Sequence, residues 1–583
     1  MSDGVGRGFL AGLLIALAAA AVLRGAWLTS DPPTQTTVGV VWHDEGAWVH
    51  NARNKALWGT WRTDEWNPAF IAPVFTALEY AAFRAFGVGT WQARSVPLAS
   101  GLLAVALLAA GLAAAAGRRA ALIGAWLLAT NYVFVMWNRA ALMESTMTAF
   151  IVLSWAAYAA AERRPLAGVV SGVAIVLAWF TKAAAAFFVL ALVLDAALTI
   201  VWSRRSAVFR PRSVDPPSPD AVRAAVLTLI GLVAAGAVAV AVFVWPHWSE
   251  YRFYNWQMSV ARKPAYSLDA LLDRASWLPI VHDFFTRMWL VTTTAALGLV
   301  AIVARWRSAR PAERLLVWWL LIGFAELVAH DTGNERRYVM LIPALVALAA
   351  LVLGRSGPAG LLPERIGRRA RWMALPLVLG LAYIVAGGLA RMAFLYEVRP
   401  GVHLSAGLAL GIGLLVAWRW QTVYGWLSRQ RMTLAGAIVL SALVVIGDLA
   451  QYAQWARSRT AFNYEASMAV GRLLPEGTLV HGKLANGLSL ENRIRPILVG
   501  RGFGNYADRR SRSDIRYVLT YVSPRIGYEG SIITDVLEAS PGWRTVATFD
   551  VRETFGGRDR AALIDKFGTR QDMPLAAERP PPR

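Results

Sequence analysis

Runs of about twenty apolar residues recur along this chain, and they constrain its fold more than any other feature. A helix rises about 1.5 Å per residue, so such a run crosses a hydrocarbon core of roughly 30 Å with its backbone hydrogen bonds made internally. Runs of this kind lie at 9–28, 93–116, 120–137, 142–161, 166–180, 183–202, 221–245, 288–304, 315–329, 339–354, 372–390, 402–418 and 432–449, about thirteen candidate spans. Across 583 residues the hydrophobic share is 56% and the charged share 16%, which excludes a soluble enzyme, a disordered scaffold and a secreted disulfide module. The expected fold class is an all-α polytopic membrane protein.

Charge gives the spans their direction. The formal net charge of +22 is carried almost wholly by arginine, since only five of the 59 basic residues are lysine. Arginines cluster at 118–119, 163–164, 204–223, 305–314, 355–371 and 419–431, in alternate loops, so those loops and the N-terminus are expected on the cytoplasmic side. The segment before residue 28 reads as an uncleaved first helix, because no small-x-small cleavage site precedes the acidic loop. The loops around Asp44, Glu144 and Lys182, the stretches 247–287 and 330–337, and the tail then fall outside. Residues 1–450 are expected as one transmembrane domain, with outer interfacial helices within 44–90 and an outer loop at 246–287. Short β-like runs at 478–481, 517–521 and 545–551 alternate with helical stretches at 461–474 and 532–539, so 451–583 reads as a small extracytoplasmic α/β domain. The chain has no cysteine, which removes disulfides, thiolate nucleophiles and cysteine-bound metals.

The polar residues on the outer side carry whatever chemistry there is. Asp44 and Glu45 follow the first span directly; as a lone pair they read as acids starting a helix. Glu144 stands just inside the fourth span on the same side, where an ionisable group is costly and is either functional or paired, Arg139 being the nearby cation. Lys182 lies between two apolar runs, and it either snorkels to the interface or meets an anion there. HDTGNERRY, from His330 to Tyr338, is an exposed helix-starting loop or an anion clamp built on Arg336 or Arg337. Glu326 is near enough to the outer end to join them, whereas Asp195 falls in the cytoplasmic half and reads as a packing or ion-pair residue. His43 beside Asp44 lacks the spacing of a metal motif, so no cofactor is expected, with a divalent metal left open. No Gly-rich phosphate loop points to a soluble nucleotide-sugar donor.

WHDEG after the first span, FGVGTWQARSVPLASG, NRAALMEST, WFTKAAAAF and RRYVMLIPAL come in an order that resembles the GT-C membrane glycosyltransferases of the protein O-mannosyltransferase and aminoarabinose lipid A transferase type. One position departs from that pattern: Asn67-Pro68 stands where related chains often have Lys-Pro. The resemblance implies transfer of a sugar from a polyprenyl phosphate to a glycolipid, polysaccharide or protein acceptor, outside the cytoplasmic membrane of a bacterium. Under it Asp44 is the general base, Glu45 or Glu144 orients acceptor or sugar, and Lys182, Arg139, His330 and Arg336 or Arg337 serve the phosphate. The interfacial Trp and Phe residues contact the prenyl chain. A polytopic transporter is the rival, although it calls for charges near the midplane, where these collect at one face. A flippase-associated subunit without catalysis is a third reading.

Overall fold

The computed structural model describes residues 2–33, 43–208, 218–259, 261, 282–330, 335–354, 368–393, 402–429, 432–500, 502–522, 528–552 and 558–568. Its helices are α1 (Ser2–Gly25), α2 (Asp44–Trp48), α3 (His50–Trp58), α4 (Pro73–Phe86), α5 (Thr90–Ala116), α6 (Arg118–Thr130), α7 (Tyr132–Trp137), α8 (Met143–Ala161), α9 (Ala167–Thr181), α10 (Ala186–Val208), α11 (Pro219–Ala239) and α12 (Trp248–Ser259). After them come Trp289–Ala304, Pro311–His330, Ile342–Gly354, Arg368–Ala393, Val402–Trp418, Trp420–Arg429 and Leu434–Arg457. Among the described residues, six helices are long and apolar enough to cross a membrane, or seven if one bent pair counts as a span.

Where this number falls below the thirteen runs, the causes are local. The run at 120–137 is cut at Asn131, whose side chain accepts the Phe134 N–H at 2.9 Å and caps a new helix. α8 carries Glu144, Ser145 and Thr146 in its first turn, which dilute its hydropathy. α9 and Trp289–Ala304 are apolar but have only 15 and 16 residues.

Small residues bring the helices together. A Cβ on Gly172 of α9 would lie 2.3 Å from backbone atoms of Thr228 and Leu232, and one on Gly231 of α11 would lie 2.5 Å from the Val169 carbonyl. Only glycine lets these two backbones touch, as in other membrane helix pairs. At the centre stands Ile342–Gly354, buried at every position from Ile342 to Leu353. A 3-10 turn, Glu335–Leu341, leads into it and carries Arg336 and Arg337.

The C-terminal segment forms a five-stranded sheet from β1 (Leu479–His481), β2 (Arg495–Ile497), β3 (Tyr517–Tyr521), β4 (Arg544–Arg552) and β5 (Arg558–Asp565), in the order β2-β1-β3-β5-β4. β1 runs parallel to β2 and β3, and β5 runs antiparallel to β3 and β4. Helix Phe462–Leu473 packs its Ala466 and Val470 into the core of this sheet. The preceding apolar helix runs on to Arg457, so the change of character comes a few residues after position 451.

Candidate active site

Four charged side chains from four separate segments meet at one end of the bundle. Asp44 opens α2, Glu144 lies in the first turn of α8, Lys182 ends α9 and Arg336 sits in the 3-10 turn before the central helix. Arg336 Nη1 donates to Asp44 Oδ2 at 2.9 Å, and its Nε lies 3.4 Å from Glu144 Oε1. Lys182 Nζ donates to the same Glu144 oxygen at 2.5 Å. The charges therefore alternate, acid to base to acid to base, and Asp44, Glu144 and Arg336 are all buried. Arg337, next in the turn, is within electrostatic reach of Glu144, Glu326 and Asp44. Local sequence explains the placement: Lys182 has an extended backbone between α9 and a following 3-10 turn, which takes its side chain off the helix surface.

Glu45 neighbours this group but faces another partner. Arg94 of α5 grips it with two parallel bonds of 2.8 and 2.7 Å, and the Ala141 N–H adds a third at 2.7 Å. The other guanidinium nitrogen of Arg94 donates to the carbonyls of Leu28 and Ser30. Glu45 thus ties the loop after α1 to α5 and to the approach of α8.

Arg139 is not part of the charged group. It donates to the carbonyls of Leu23, Arg24, Ala26 and Trp27 at 2.7 to 3.1 Å, and its guanidinium lies 4.6 Å from the Trp455 ring. The last carbonyls of a helix have no partner inside it, and a buried cation at that end meets both the hydrogen-bond need and the dipole. The nearby acid, Glu144, is held by Lys182 and Arg336 instead. His330 ends its helix, and its side chain and residues 331–334 lie outside the described residues. Asp195 accepts from Arg314 and Tyr158, both at 2.9 Å, in the opposite half of the bundle. Asn67 donates to the Asp64 carbonyl and the Tyr254 hydroxyl, so it braces its own loop.

Two residues were not singled out from the sequence. Arg94 stands near the start of an apolar run, at the end that the arginine-rich loops assign to the outside, against the positive-inside trend, and that is the same signal that marks Lys182. Glu79 of α4 is fully buried, with neither carboxyl oxygen hydrogen-bonded. Burial first, and the charge of Glu45 second, push its pKa well above the usual carboxylate range. No group of three His, Asp or Glu side chains able to hold a metal occurs among the described residues.

Residues 70–211 match a family model described as dolichyl-phosphate-mannose-protein mannosyltransferase. Comparison with curated proteins found no match. Among solved structures, the chain is similar to ArnT from Cupriavidus metallidurans in the apo state, with 18% identity, a TM-score of 0.50, and coverage of 96% of this chain and 98% of that one. ArnT from the same organism bound to undecaprenyl phosphate gives 18% identity, a TM-score of 0.47 and the same coverage. The Archaeoglobus fulgidus oligosaccharyltransferase in its apo form gives 14% identity and a TM-score of 0.43 over 88% of this chain and 69% of that one.

Proposed function

The chain has the GT-C fold that its sequence motifs resemble, and from that premise we propose that it is a membrane glycosyltransferase moving a sugar from a polyprenyl phosphate to an acceptor on the outer side of the cytoplasmic membrane. The observation that carries this reading is the alternating series Asp44, Arg336, Glu144 and Lys182, largely withdrawn from solvent at one end of the bundle. Such a site holds both things the transfer needs, a carboxylate for a proton and cations for a phosphate.

In the reaction the acceptor hydroxyl oxygen bonds to the anomeric carbon on the face opposite the phosphate. The carbon–oxygen bond to the phosphate breaks, its electron pair leaves on the phosphate, and the hydroxyl proton passes to Asp44. Configuration inverts. Lys182 and Arg336, with Arg337 close by, offset the charge that develops on the leaving phosphate. Arg336 holds Asp44 in the resting site, so an arriving phosphate competes for the guanidinium and releases the carboxylate to accept a proton. Glu144 keeps Lys182 and Arg336 side by side. The positive-inside rule places these residues, the loop helices α2 to α4 and the C-terminal sheet outside, the sheet serving as an extracytoplasmic domain. The acceptor is a glycolipid, polysaccharide or protein.

The test uses purified protein and polyprenyl-phosphate sugars extracted from native membranes. Release of polyprenyl phosphate is expected, and Asp44→Asn should lower turnover by about two orders of magnitude or more while undecaprenyl phosphate still binds. Uptake of the lipid without cleavage would identify a transporter, and near-normal turnover in Asp44→Asn would remove Asp44 from the role of base.

A further inference from the structure

Arg53 lies on α3 and is fully buried. Its Nε donates to the Ser489 carbonyl at 3.0 Å, and its Nη2 donates to the carbonyls of Asn492 and Ile494 at 2.9 and 3.0 Å. All three acceptors belong to the turn between β1 and β2 in the C-terminal segment, and none is a carboxylate. A cation taken from water without an anion to meet it is costly. What offsets that cost here is three backbone carbonyls that take the guanidinium N–H groups as donors.

Other contacts cross the same joint. Gly46 lies two residues after Asp44, and a Cβ on it would fall 1.8 Å from the Asn486 carbonyl oxygen, so the short helix Lys483–Gly487 rests directly on the backbone of α2. Asp64 accepts the Leu498 N–H at 3.0 Å with one oxygen and pairs with His50 at 2.9 Å through the other. Before Asp44 in the chain, Asp31 accepts from the Thr460 hydroxyl and from the N–H groups of Phe462 and Asn463. The C-terminal segment therefore grips the loop that carries Asp44 on both sides of it. Val49 joins α2 to α3: its N–H bonds the Glu45 carbonyl, and its own carbonyl accepts from the Arg53 N–H.

We propose that Arg53 is a positioning residue, which locks α2 and α3 onto the C-terminal segment and so sets where Asp44 stands relative to Arg336. The proposal rests on the reading of Asp44 as the base. Through it the outer segment becomes part of the catalytic geometry, and a displacement of that segment would be felt at the carboxylate.

The test uses the full chain, whose lack of cysteine allows spin labels at Thr60→Cys and Ser308→Cys, both exposed, to report where α3 stands against the bundle. Three changes are compared on this background: Arg53→Lys, Arg53→Gln and Gly46→Ala. Arg53→Gln and Gly46→Ala should shift or broaden the label distance and lower turnover per folded molecule by at least about tenfold, with undecaprenyl phosphate affinity unchanged. Arg53→Lys, which keeps the charge and part of the donor set, should fall between them and the parent. A merely structural role would lower the melting temperature and leave turnover per folded molecule intact. An unchanged distance overturns the proposal, whether turnover is kept or lost. Should Arg53→Gln not fold, the distances and turnover of Arg53→Lys and Gly46→Ala decide between the two roles. If the parent chain releases no polyprenyl phosphate, the proposed function has failed, and the label distances alone test the joint.

Discussion

Arginine has two unlike uses at the end of this bundle where Asp44 stands, and the company each side chain keeps decides between them. Arg139 is surrounded by the last carbonyls of α1, whereas Arg336 is surrounded by carboxylates. Replacing Arg139 by Met would orphan several buried acceptors at once, so the variant should lose about 2 to 5 kcal/mol of stability, read as a lower melting temperature in detergent. Its turnover per folded molecule should stay near that of the parent. Lys182→Met should do the reverse: the fold keeps its melting temperature within a few degrees, while the barrier rises by about 2 to 4 kcal/mol, measured as lost polyprenyl phosphate release. The sequence puts both cations on the expected outer side, Arg139 near Glu144 and Lys182 between apolar runs, and it could not separate their roles. Proximity of Arg139 to Glu144 along the chain says nothing about direction, and one end of a helix turns the side chain towards α1 while Glu144 looks the other way.

At the scale of elements, the apolar runs were legible because twenty residues of one kind leave few alternatives, and most helix limits fall within a few residues of the runs. The breaks were not. Asn131 ends one helix and caps the next through a single side-chain bond, a local choice that hydropathy averages away. In the C-terminal segment β1, β3 and β4 show as β-like runs, but β5 begins Arg-Asp-Arg and its buried part reads Ala-Ala-Leu-Ile-Asp, which has little strand character until it pairs with β3 and β4. β2 has three residues and includes a proline at an edge. The same sheet predicts a pH dependence. His481 of β1 is 1% exposed, and burial, helped by Lys566 and Arg512, lowers its pKa from 6.5 to about 3. The folded chain thus keeps His481 neutral where an unfolded chain protonates it, so its contribution is complete above about pH 6.5 and is lost as pH falls towards 3. Stability should drop by about 1.4 kcal/mol for each pH unit in that window from this group alone. His481→Asn should flatten the slope, as followed by thermal melts between pH 7 and 4.

At the scale of the whole molecule, the alternation of arginine-rich loops predicts that Asp44, Glu144, Lys182 and Arg336 share one side, because that expectation needs only the parity of the spans, and the four side chains do meet. Parity says nothing about which of those groups touch; that is set by the 3-10 turn and by the joint with the C-terminal segment. The orientation itself is testable in a chain without cysteine. A thiol at Thr60 or Ser511 should react with a membrane-impermeant maleimide applied from outside, and one at Ser308 should react only after permeabilisation. The opposite pattern would invert the proposed topology. Finally, Arg336 and Arg337 hang from Ile342–Gly354, a helix with protein on every side. Lipid does not wet it, so stretching or thinning the bilayer acts on peripheral helices such as α1 and α11, whose outer faces are exposed, and reaches the arginines only through an intervening helix, α6 in the first case and α8 in the second. Turnover in vesicles of graded acyl-chain length should therefore vary by less than about twofold, even where the tilt of the outermost helices follows the bilayer.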